Sequence, residues 1–301
     1  MAEWSNAPVL KTGVLRGTGG SNPSLSAKPA EIQRAFLVAP IFLTIRWELA
    51  MIQKLNEINV NFDFTSDVPG YWDGYWDVSA WGWSGKDPDS KSPTLRRHHQ
   101  LLWSKGLPNG ERMELVDGKS KFYLKWKDFY FGSDSIIVSF RHSDKKDVLD
   151  AVVQRMPDFH AFIEHYVRSS YTIGGMMLFP QHRYSFNCAR GCNKRICDRW
   201  DLTLECIRRF YQGGESPLSK ALERDREFFE LFVDFKGFVD FFFLQDCVDE
   251  KYEKVHLWLG NDFFEKNPYP HNASEYLMWI DKQCDFLQKR NRRIDYFVRG
   301  K

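Results

Sequence analysis

Residues 113–140 read MELVDGKSKFYLKWKDFYFGSDSIIVSF. Met113 to Val116 and Lys121 to Trp126 are strand-like and flank Asp117-Gly118, a pair that tolerates the positive φ of a tight hairpin turn. The extra Lys119-Ser120 predicts a bulge beside that turn. Ser133-Asp134-Ser135 then reads as chain punctuation, and Ile136 to Phe140 as a third strand. Tyr171 to Phe179 predicts another strand, in which Gly174-Gly175 marks a bulge or the close approach of a second backbone. Upstream, the alternation in Asn59–Asp67 (NVNFDFTSD) predicts one more short strand.

Helices surround and follow this region. Pro93-Thr94 opens one through Leu95, His98, His99, Leu102 and Trp103, and Lys145–Gln154 and Asp158–Arg168 form two more, parted at Pro157. Beyond Pro180 the periodicity predicts helices over Asp198–Tyr211, Ser216–Phe235, Gly237–Asp246 and Ser274–Arg290, with Ser216-Pro217 as a start signal. The phenylalanines between Phe228 and Phe243 are core material at these spacings. Strands early and helices late specify an α+β fold: a small antiparallel or mixed sheet in the first half, packed by a mainly helical second half.

Composition agrees with a packed interior. Of 301 residues 43% are hydrophobic and 16% aromatic, including 25 Phe, which excludes a disordered chain. The longest apolar run, Ala35 to Ile45, is broken by Pro40 and falls short of the roughly 20 residues that span a bilayer, so no membrane partner is expected and a cytoplasmic location is. Residues 13–28 (GVLRGTGGSNPSLSAK) carry no periodicity. Ala2–Asn6 and Gly20–Pro23 can be encoded by nucleotides resembling the D-arm and T-arm of a transfer-RNA gene. We therefore expect residues 1–50 to be a disordered or spurious extension, translation to begin at Met51, and residues 51–301 to form a single globular domain; a flexible linker is the alternative. Five of the 42 basic and three of the 40 acidic side chains lie before Met51, so the remainder is electroneutral and any anion site must be a local patch.

Three constellations could carry chemistry. Ser84-Gly85-Lys86-Asp87-Pro88-Asp89 leads through Ser92, Thr94, Arg96 and His99 to Lys105, a turn feeding a helix start, where free amides and cations suit an anion. The plainer reading is that Thr94 caps its own helix. Asn187-Cys188-Ala189-Arg190-Gly191 leads to Arg199, Asp201, Glu205 and Arg208. Here Asp201, Glu205 and Arg208 share a helical face, as a presented carboxylate and guanidinium or as an ordinary surface ion-pair ladder. Tyr71 to Trp83 sets Asp73 and Asp77 among Trp72, Trp76, Trp81 and Trp83, as a sugar platform or as packing. His182, Cys188, Cys192, Cys197 and Cys206 lack the paired knuckles of a structural zinc site, so no metal is assigned and reduced, mostly buried thiols are expected. No dinucleotide, Walker, nucleophile-elbow or zinc-protease signature occurs, which leaves the cofactor unknown.

SGKDPDSKSPTLRRHHQLLWSKGLPNGE, TIGGMMLFP, CARGCNKRICDRWDLTLECIRRFY and DFKGFVDFFFLQD together resemble a widespread bacterial family catalogued only as a domain of unknown function, from about Tyr71 to Ile294. The resemblance implies no reaction. The chain departs from that family at position 188, more often a non-cysteine, and at 192, more often aromatic, which further weakens a metal reading.

The functional expectation is that the two basic motifs meet in one cleft and hold a phosphate-bearing ligand, a nucleotide or nucleic-acid end, for group transfer or hydrolysis. Ser84, Arg96, Lys105, Asn187, Arg190, Arg199 and Arg208 would bind it, and His99, Asp201 and Glu205 would act as acid or base. The alternative is a non-catalytic interaction or structural protein whose charged motifs form an internal salt-bridge network.

Overall fold

The computed structural model describes residues 54–73, 75–76, 86–116, 121–137, 145–181, 186–260, 264–265 and 267–300. These lie within one compact unit, Leu49–Lys301. The expectations for residues 1–50, Ser84, the Asp117-Gly118 turn, Trp81 and Trp83 fall outside the described residues.

The α+β architecture is as the sequence predicts. Four antiparallel strands, β1 (Glu114–Leu115), β2 (Leu124–Trp126), β3 (Phe129–Ser135) and β4 (Met176–Pro180), pair in chain order. Ten α-helices accompany them among the described residues: α1 (Pro88–Lys91), α2 (Pro93–Trp103), α3 (Lys146–Arg155), α4 (Phe159–Ser170), α5 (Phe186–Cys192), α6 (Trp200–Tyr211), α7 (Ser219–Arg224), α8 (Arg226–Glu230), α9 (Phe235–Phe241) and α10 (Ala273–Val298). None is long and apolar enough to cross a membrane.

The strand register differs from expectation in an informative way. The tight turn joins β2 to β3 through Lys127-Asp128, with Trp126 opposite Phe129 and Lys127 at φ 49°. Lysine carries no signal for that conformation. Ser133-Asp134-Ser135, read as punctuation, is the end of β3, paired with Leu178, Met177 and Met176 of β4. The Asn59–Asp67 segment is not a strand; it ends in a 3₁₀ turn, Phe64–Asp67, capped by the Asp63 carboxylate accepting from the Thr65 amide.

The predicted helix over Ser216–Phe235 is divided. Asp225, fully buried between α7 and α8, turns its carboxylate to the Phe186 amide at the start of α5, 2.5 Å away. The phenylalanines behave as expected: Phe228, Phe229, Phe232, Phe238 and Phe242 are wholly buried, and their rings meet edge-on or tilted at 5.0–5.9 Å.

α10 runs past its expected end because Ile294 and Val298 continue the buried stripe of Tyr276, Trp279, Ile280, Gln283, Phe286, Leu287 and Arg290. It packs on α3, α4 and the 3₁₀ turn Ile173–Gly175. That turn takes the place of the first part of the predicted strand, and its glycines admit a backbone approach. A Cβ on Gly175 would stand 1.8 Å from the Ser170 carbonyl oxygen, and one on Gly174 2.5 Å from Asn291 Oδ1.

Candidate functional site

The start of α2 offers amide donors, and the protein's own Asp67 takes them. Ser92 is the N-cap, accepting from the Leu95 amide at 3.0 Å, while Asp67 Oδ2 accepts from Ser92 Oγ at 2.7 Å and from the Thr94 amide at 2.9 Å. Burial works to raise the Asp67 pKa, but these hydrogen bonds hold it below the usual value. Thr94 therefore does not cap its helix, and the internal carboxylate fills the position proposed for an anion.

His99, one turn further, is fully buried. Trp103 Nε1 donates to His99 Nδ1 at 2.7 Å, and because an indole can only donate, Nδ1 is the acceptor and the neutral ring carries its proton on Nε2. Nε2 then donates to Ser133 Oγ at 2.9 Å, and Ser133 donates to Asp89 Oδ1 at 2.9 Å. Burial and the nearby Arg290 charge push the His99 pKa well down. Both ring nitrogens are occupied, so the ring positions Ser133 and Asp89 and offers no lone pair to a substrate. Asp89 is pushed well up by burial, then by Asp87 and Asp134.

The next residue of β3 ties in the second motif. Arg190 Nη2 donates to Asp134 Oδ2 at 2.5 Å and to the Ser135 carbonyl at 3.0 Å, and Nη1 lies 2.7 Å from Asp198 Oδ1. Its Nε donates to Asn187 Oδ1 at 3.3 Å. Cys197 and Asp198 both adopt positive φ, 50° and 59°, a strained pair that turns the Asp198 carboxylate back toward α5. Burial raises the Asp198 pKa to about 6 against the opposing pull of Arg190. Ser133 and Asp134 are thus where the early and late motifs come together, through Asp89 and His99 on one side and Arg190 on the other.

The remaining predicted residues are drawn elsewhere. Arg199 forms a two-pronged pair with Asp201, at 3.1 and 2.6 Å, and donates to the Pro268 carbonyl; both side chains are buried, and Asp201 also accepts from the Trp258 amide. Glu205 accepts from Arg208 twice and from Arg209 once, each at 2.8 Å, which holds its pKa down against burial. Arg208 also reaches Gln212. Asp201 and Glu205 therefore serve different partners despite sharing a helix. Arg96 donates to the Val116 carbonyl at 2.6 Å and lies over the Tyr123 ring. Lys105 donates to the Phe241 carbonyl at 2.5 Å inside a cage of Trp103, Phe241, Phe243 and Phe297.

Among the described residues no group of three or more His, Cys, Asp or Glu side chains could hold a metal ion. The thiols differ from expectation: Cys188 and Cys192 are exposed and Cys197 partly so, leaving Cys206 alone in this patch buried. Cys188 and Cys192 are one helical turn apart on the outward face of α5.

Compared with known proteins, residues 58–294 match a family described as a family of unknown function (DUF6994). The chain belongs to this family. Neither a curated protein nor a solved structure matches it. In this DUF6994 member, the match begins before the 3₁₀ turn at Phe64 and ends in α10, so it takes in the whole sheet and the charged junction. Sequence reasoning did not single out Ser133, Asp134 or Asp198 as site residues. The signal was present in β3, where FYFG has strand character and Ser-Asp-Ser continues it with polar groups that need buried partners.

Proposed function

We propose that this domain of unknown function is a non-catalytic interaction protein whose charged motifs form an internal network. The carrying observation is that the two guanidinium groups best placed for phosphate, Arg190 and Arg199, have wholly buried side chains and already face Asp134, Asp198 and Asp201. Phosphoryl transfer needs cations available to neutralise charge as it develops, and a guanidinium paired with carboxylates at 2.5–2.7 Å is already neutralised. Glu205 is likewise held as an ionised acceptor by Arg208 and Arg209, which suits structure better than proton transfer.

The test is the double variant Arg199→Met/Asp201→Leu, which removes a buried ion pair together and leaves no orphaned charge. It is expected to fold, and any thermal shift that nucleotides produce in the wild-type chain is expected to persist. A folded double variant that loses such a shift would return these residues to a ligand site.

A further inference from the structure

At the C-terminal end of α10, Lys289, Arg292, Arg293 and Tyr296 recur on one helical face and, with Phe243 and with Gly300 just past the helix end, line a cavity of about 630 Å³. That size falls within the roughly 300–1,000 Å³ of small-molecule sites. Its wall is aromatic: Tyr296 is 65% and Phe297 36% exposed, so water meets two large rings that a stacked ligand would cover.

The charges here are not balanced internally. Among the described residues Asp246 is the only carboxylate of the lining, and Arg293 engages both its oxygens. Lys289 pairs with Asp285 at 2.6 Å, outside the lining, in an exposed pair that, unlike the buried pairs of Arg190 and Arg199, is weak enough to exchange for a ligand. Exposed Arg292 has no hydrogen-bond or ion-pair partner among the described residues. Behind the aromatic wall Lys105 Nζ stands 3.8 Å from the Phe243 ring centre and 4.9 Å from that of Phe297, where burial and the nearby Arg290 push its pKa well down, so it is not counted with the lining charges. No described carboxylate lies within ion-pair distance of it. With Asp285 counted, the three lining cations exceed the described carboxylates that pair with them by one, which is more than the roughly half negative charge at the end of the α10 dipole.

We propose that this cavity binds a nucleoside monophosphate, free or as the end of a nucleic-acid strand, its base stacked on Tyr296 and Phe297 and its phosphate on Arg292 and Lys289. A phosphate monoester carries about 1.5 to 2 negative charges near neutral pH, which the unpartnered Arg292 and a Lys289 exchanging from its exposed partner would meet. The site involves neither Arg190 nor Arg199 and stands apart from the reading above.

Isothermal titration of the full chain with AMP, adenosine, inorganic phosphate and a 5′-phosphorylated oligothymidylate tests it. AMP is expected to bind, with adenosine and phosphate each at least about tenfold weaker, because both halves of the site contribute. Arg292→Glu is expected to weaken AMP about tenfold or more with an unchanged melting temperature, since the side chain is exposed and unpartnered, and Tyr296→Ala to weaken it severalfold. Oligothymidylate binding in competition with AMP identifies the strand end as the ligand, and AMP binding without it identifies the free nucleotide. AMP affinity weaker than about 1 mM, or equal in wild type and Arg292→Glu, overturns the proposal and leaves the internal network untouched.

Discussion

The Arg190 guanidinium and the Asp134 carboxylate are 56 residues apart in the chain and meet at 2.5 Å. The contact fastens the seven-residue α5, too short to persist alone, to the end of β3. Asp134 is also adjacent to Ser133, which receives the chain of hydrogen bonds from Trp103 through His99 and passes it to Asp89. Several further effects can be measured.

Arg190→Ala should be strongly destabilising. Its side chain is fully buried and its removal leaves Asp134 and Asp198 without their counter-charge, a class of change that costs about 3–5 kcal/mol. Arg190→Lys should recover only a minor part, because one ammonium cannot reproduce the fork to both carboxylates. Urea denaturation measures this, and a loss below about 1 kcal/mol would show that the contact does not hold α5 to the sheet.

Acid should weaken the fold through His99. Its folded pKa lies well below the 6.5 of the unfolded chain, so between these values the unfolded state binds a proton that the native state does not. The contribution is complete above about pH 6.5 and declines as pH falls. Asp198 acts in the opposite sense: with a folded pKa of about 6 against 3.8, it favours the native state on acidification through that window. The difference between wild type and His99→Gln isolates the histidine. Wild type should lose more stability than the variant between pH 7 and pH 5, and parallel profiles would contradict the buried neutral ring.

Gly175→Ala should destabilise by about 1–3 kcal/mol or more, since its Cβ would meet the Ser170 carbonyl, backbone that cannot rotate aside. Gly106→Ala provides the control, having nothing within 4 Å of the added carbon. Thermal melts of the two variants should therefore separate clearly, and equal melting temperatures would deny the close approach.

Thiol labelling should resolve the cysteines by environment. Cys188 and Cys192 are expected to react promptly with a water-soluble maleimide, whereas Cys206, whose pKa burial pushes up to about 12, and Cys247 should react only on unfolding. Mass spectrometry of the timed products would show the order, and early modification of Cys206 would place it outside the core.

The α+β class, the start of α2 near Pro93 though not its Ser92 cap, the phenylalanine-rich core and most helices were legible in the sequence. Their signals are periodicity, capping and turn chemistry, which act over three or four neighbouring residues. The same signals leave Ser133-Asp134-Ser135 outside the strands and end α10 early at its run of arginines, because polar residues carry no local mark of a buried partner. Only the tertiary structure showed that those polar groups have partners. Arg190 reaches Asp134 across 56 residues and Arg199 reaches the Pro268 carbonyl across 69. Sequence counts charges, but whether a guanidinium meets a ligand or a carboxylate depends on which distant segments approach it, since the interaction is short-ranged in space and has no fixed spacing along the chain.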